Sequence, residues 1–86
     1  MQKTDHVKYV YILQSLSHPD QYYTGSTADF QERLKVHNAG KVPHTSKYLP
    51  WAPVTVIYFA DGQRANTFER YLKSGSGRAF ANRHFR

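Results

Sequence analysis

Four residue types in this chain are spaced so that they could do chemistry: Tyr, Arg, His and Glu. Tyrosines stand close together at 9, 11, 22 and 23, Arg33 and His37 are four positions apart, and Glu69 is the only acid after residue 61. Residues four apart share a helix face, so Arg33 and His37 could line one rim and hold a phosphate, the guanidinium bidentately and the imidazole as donor or proton relay. A solvated arginine and a structural histidine are the ordinary alternatives. Tyr11 and Tyr23 could present neighbouring hydroxyls from paired strands, although buried tyrosines commonly serve as core packing. On a helical wheel Glu69 falls about 40° from Ala65, at the margin of the stripe made by Ala65, Phe68 and Leu72. An inward carboxylate is costly unless paired or metal-bound. A salt bridge to Arg33 or another cation satisfies that condition as well as a metal does.

Several chemistries are excluded. There is no cysteine, hence no disulfide, thiolate nucleophile or Cys-based zinc site. A single inward carboxylate argues against a glycosidase pair and a two-metal nuclease. No Gly-x-Ser-x-Gly elbow, Gly-rich phosphate loop, His-Glu-x-x-His motif or aromatic RNA-binding signature is present.

The elements that must position these residues can be read from the same sequence. Val7 to Leu13 is rich in β-branched and aromatic residues and predicts a strand with apolar side chains on both faces, hence a central one. Turn chemistry over 15–21 and a short strand, Gln21 to Thr24, ending at Gly25, complete an antiparallel hairpin. Ser26 to Asp29 predicts a helix start with a hydroxyl cap and an acid in the first turn, the helix running to Asn38 and stopping before Gly40. Residues 40–53 carry three prolines and read as a long loop, of the kind that is functional or mobile. Val54 to Phe59 is a third strand. Asp61-Gly62 opens a helix through Lys73, Ser74 to Gly77 breaks it, and Arg78 to His84 forms a last short helix.

At 86 residues with an aromatic share of 15%, the chain is expected to form one packed domain spanning 1–86, with a small core and a shallow site. The polar N-terminus and the lack of any long apolar stretch argue against secretion and membrane insertion, and cysteine-free composition suits the reducing cytoplasm. The formal charge is +6, of which +5 falls in residues 62–86. Such a basic segment suits a polyanion, most often nucleic acid, or simply a solubilising surface. The candidate nucleic-acid contacts are Lys41, His44, Lys47, Lys73, Arg78, Asn82 and Arg83.

These residues together resemble the GIY-YIG nuclease superfamily, and specifically its small stand-alone bacterial members. Tyr9-Val10-Tyr11 stands at the Gly-Ile-Tyr position and Tyr23-Thr24-Gly25 at the Tyr-Ile-Gly position; Arg33-Leu-Lys-Val-His37 matches the helix signature. Ser46 to Trp51 and Glu69 to Gly77 look like the same members, so the likeness spans roughly residues 7 to 85. Five landmarks in order are far more specific than any one tripeptide. Tyr9 and Thr24 depart from the family's Gly and Ile, and Ser26 stands where some relatives carry a lysine.

The resemblance implies an α+β fold, a three-stranded antiparallel sheet flanked by helices, and cleavage of DNA phosphodiester bonds with one divalent metal, Mg or Mn. By that likeness Glu69 is the metal ligand, Arg33 stabilises charge on the scissile phosphate, Tyr11 and Tyr23 sit near the nucleophile with one as general base, and His37 is hydrogen-bonded nearby. Asn82 matches an asparagine that some members carry on the last helix. An ordinary tyrosine has a pKa of about 10, so a base role calls for a cationic surround of Arg33, protonated His37 and metal to lower it. Low or structure-dependent specificity is expected. A weakly active nucleic-acid-binding domain and a basic protein-interaction module are the alternatives, and no particular protein partner is indicated.

Overall fold

The computed structural model describes residues 8–86. Its sheet has the order β2-β1-β3, with β1 (Lys8–Ser15) at the centre, β2 (Tyr22–Thr27) and β3 (Trp51–Phe59) antiparallel on either side. Val7, the expected first residue of β1, lies outside the described residues. Apolar residues on both faces of β1 are the reason for its central place. Val10 and Ile12 pack under the two C-terminal helices with Ala65, Leu72 and Ala81. Tyr11 and Leu13 pack on the opposite side with Trp51, Phe30 and Leu34. This sheet with its helices is the α+β architecture expected.

Boundaries differ where local signals compete. β2 continues through Gly25 to Thr27, because Gly25 pairs opposite Tyr11 and serves close approach rather than termination. Asp29, not a hydroxyl, caps helix α1 (Phe30–Asn38), its carboxylate accepting from Glu32 N. Gly40 follows with φ +76°, the left-handed geometry that ends helices. The stretch expected to be loop contains a 3-10 turn, Ser46–Tyr48, and the start of β3. Pro53 is tolerated there because β3 is an edge strand and its register slips opposite Ile12 and Leu13.

Helix α2 (Gly62–Leu72) is capped by Asp61, and α3 (Gly75–His84) by Ser74, whose hydroxyl accepts from Gly77 N. The Ser-Gly-Ser-Gly stretch therefore forms the first turn of α3 instead of a break before it. Gly77 packs so closely on the backbone of Tyr71 that no side chain fits, which locks α3 against α2.

Candidate active site

The pairing of β1 with β2 sets the first contact. Tyr11 is 1% exposed and stands opposite Gly25. A Cβ at residue 25 would lie 2.6 Å from Tyr11 Oη, so only glycine leaves room for the hydroxyl. The Tyr11 and Tyr23 rings are 6.3 Å apart, and Tyr23 meets the His37 ring edge-on at 4.9 Å. Tyr23 is half-buried and so is the more accessible of the two phenols.

Helix α1 contributes Arg33 and His37 from one face. His37 is fully buried, its Nε2 2.9 Å from Tyr11 Oη and its Nδ1 2.9 Å from Thr45 Oγ1. It does not share an open rim with Arg33, because the one-turn spacing places it beneath Tyr11 and Tyr23, deeper than the guanidinium. Burial, then the nearby Arg33 charge, push His37 below the ordinary value of 6.5 and keep it neutral. That direction runs against the protonated His37 of the expected cationic surround. Tyr11 moves opposite to the lowering expected of a cationic surround. Burial pushes its pKa above 10.0, with the neighbouring Tyr23 and Glu69 adding to the rise and Arg33 opposing it. Arg33 is itself raised, chiefly by its contact with the Tyr11 hydroxyl. Its Nε is the one buried side-chain polar atom among the described residues without a partner.

Glu69 on α2 reaches the same region. Ser26 Oγ donates to Oε1 at 2.7 Å and Lys73 Nζ to Oε2 at 2.8 Å. Burial works against ionising this carboxylate, but the hydrogen bonds from Lys73 and Ser26 outweigh it, and Glu69 stays below 4.5. The cation paired with Glu69 is Lys73, one turn along the helix, and not Arg33. The Glu69 side chain keeps 20% of its surface exposed. Among the described residues no three His, Cys, Asp or Glu gather as a metal site. One reachable carboxylate fits a hard divalent cation that retains waters and takes further oxygens from a phosphate.

Beyond Tyr23, a cleft of about 590 Å³ has Asp20, Tyr22, His44, Lys73, Arg78 and Arg86 among its lining residues. Three of the candidate nucleic-acid contacts, His44, Lys73 and Arg78, thus converge. Lys47 borders a separate depression with His44 and Tyr48. Lys41 and Arg83 are exposed and do not line the cleft, while Asn82 accepts from Arg86 at 2.9 Å. Arg86, whose guanidinium lies 4.5 Å over the Tyr22 ring, was not singled out by the sequence, nor was Thr45; Ser26 was noted as a departure from the lysine of some relatives but not as a partner of Glu69. Ser26 directly follows the second motif and could have been found by position. Thr45 carries no local signal.

A family model described as the GIY-YIG catalytic domain matches residues 7–83. A Streptococcus pneumoniae protein named UPF0213 protein is 36% identical over 70 residues, covering 80% of this chain and 69% of its own. A second UPF0213 protein from that species, spr1390, is 34% identical over 70 residues, with the same coverage. The structure-specific endonuclease subunit SLX1 of Debaryomyces hansenii is 35% identical over 71 residues, which are 74% of this chain but 20% of that protein.

Proposed function

The chain belongs to the GIY-YIG catalytic-domain family, and on that premise we propose that it is a metal-dependent endonuclease that hydrolyses DNA phosphodiester bonds. The observation that carries the reading is the orphaned Nε of Arg33, on a guanidinium that bears on the Tyr11 and Tyr23 hydroxyls, while the Glu69 charge is felt at Tyr11. A buried guanidinium donor without an acceptor is stabilised by an anionic oxygen, and a scissile phosphate supplies one.

The residues then divide the work. Arg33 meets charge that grows on the phosphoryl oxygens as the bond breaks. Tyr23, half-buried at the cleft, is the phenol placed to meet an attacking water as general base, whereas Tyr11 is buried and raised. His37 and Tyr11 hold the floor of the site. Glu69, ionised and partly exposed, would hold one Mg or Mn ion. That ion, when bound, supplies Lewis-acid charge at the phosphate and leaving oxygen. His44, Lys73, Arg78 and Arg86 flank the site where a backbone would run. Specificity for branched or otherwise structured DNA is the reading favoured by the likeness to a structure-specific endonuclease subunit.

The test is incubation with supercoiled, branched and single-stranded DNA and Mg²⁺ or Mn²⁺, beside Glu69→Gln and EDTA controls. Nicking abolished in both controls is expected. DNA binding without nicking, unchanged in Glu69→Gln, would mark a binding domain instead.

A further inference from the structure

Thr45 directly precedes the family-like stretch Ser46 to Trp51 and is not among the residues singled out from the sequence, yet it is 0% exposed and bonded to the buried histidine. Its backbone N donates to Val42 O, its carbonyl accepts from Trp51 Nε1 at 2.8 Å, and its hydroxyl reaches Val42 O at 3.3 Å and His37 Nδ1 at 2.9 Å. The long loop after α1 is thus folded back so that one hydroxyl meets one ring nitrogen.

Counting donors and acceptors gives this chain of bonds a direction. A guanidinium only donates, so Arg33 can meet Tyr11 favourably only at an oxygen lone pair. The Tyr11 hydroxyl is buried, and its hydrogen bond runs to His37 Nε2. Its single proton must then point to that nitrogen, which has to be the bare one. Neutral His37 therefore carries its proton on Nδ1 and donates to Thr45 Oγ1, and Thr45 passes its own proton to Val42 O, a carbonyl that can only accept. In the other tautomer His37 would donate to Tyr11. The phenol proton would then turn toward the guanidinium or stay buried without a partner, both unfavourable.

We infer that Thr45 is a positioning residue of the site: by accepting from His37 Nδ1 it holds the histidine in the tautomer that makes Tyr11 show Arg33 a lone pair instead of a proton. Arg33 is thereby kept against the phenols, facing the place of the phosphate. The inference rests on the nuclease reading for its consequence but not for its geometry.

Nitrogen-15 NMR of His37 in the free protein tests the geometry directly. The expected result near pH 8 is the Nδ1–H tautomer; Nε2–H overturns the inference. Thr45→Val removes the acceptor with little change of shape and should bring in the Nε2–H form. Its kcat for DNA nicking should fall roughly 10- to 100-fold with KM changed less than about twofold, as for loss of an interaction made in the transition state. Thr45→Ser, which keeps the hydroxyl, should restore both tautomer and rate. Thr45→Val with an unaltered tautomer or an unaltered kcat overturns the inference. Should that variant fail to fold, the wild-type tautomer and the rate of Thr45→Ser decide it. If the wild-type chain cuts no DNA, the nuclease reading falls, while the His37 tautomer and its change in Thr45→Val still decide the role of Thr45.

Discussion

Ser26 Oγ donates to Glu69 Oε1 at 2.7 Å and so ties the end of β2 to the middle of α2. The bond matters because the other carboxylate oxygen is held only by Lys73, whose side chain is half exposed. Ser26→Ala should leave Glu69 free to follow Lys73 outward. A titration of nicking rate against Mn²⁺ should then need several-fold more metal for half-maximal activity. Lys73→Met should shift that midpoint in the opposite direction, since the ammonium competes for Oε2, while weakening DNA binding. Identical metal midpoints in all three proteins would dissociate Glu69 from the metal.

Gly25→Ala tests the contact between β2 and Tyr11. The added Cβ would meet Oη at 2.6 Å and Cζ at 2.8 Å, both on a ring already pinned by His37. Overpacking of this kind costs about 1–3 kcal/mol, readable as a lower urea midpoint. Nicking should fall more than stability does, because the ring that moves carries the hydroxyl facing Arg33.

Stability should fall as the medium is acidified, in two stages. His37 is depressed in the fold below 6.5, so above that pH it contributes no proton difference between folded and unfolded chains. As pH falls through 6.5 the unfolded chain takes up the proton first, and stability drops. Glu69 is likewise depressed below 4.5, so its stabilising contribution is present above that pH and is lost as pH falls through its lower folded value. Melting temperatures measured from pH 8 to 3 should decline in both windows. In His37→Gln the upper decline should shrink, and in Glu69→Gln the lower one. A flat profile between pH 7 and 5 in the wild type would contradict a buried neutral histidine.

Charge in the C-terminal segment should act by position and not by number. Arg78 and Arg86 line the cleft beside Tyr23, and Arg83 does not. Replacing Arg78 and Arg86 by Ala should reduce the magnitude of the log–log salt slope for DNA binding by about 1.8 on duplex. Arg83→Ala should leave it unchanged. Equal losses from all three would mean a diffuse basic surface instead of a cleft.

The sequence by itself determined the architecture and the family, and through the family it named the candidate site residues. Apolar residues on both faces of β1 demanded a central strand, Asp61 and Gly62 marked the start of α2, and the order Tyr11, Tyr23, Gly25, Arg33, His37, Glu69 carried the family. Those are local or ordered signals, read at periods of two and 3.6 residues. What only the tertiary structure decided is which partner each polar group meets. The wheel placed Glu69 inward but could not choose Ser26 and Lys73 over Arg33, because a helical angle says nothing about the strand that arrives beside it. The spacing put Arg33 and His37 on one face but not at one depth; the histidine ended under Tyr11, neutral, on a threonine delivered by the loop. Thr45 is invisible in sequence for a physical reason. It acts through one hydrogen bond between segments eight residues apart, and a hydroxyl at that distance leaves no periodic trace.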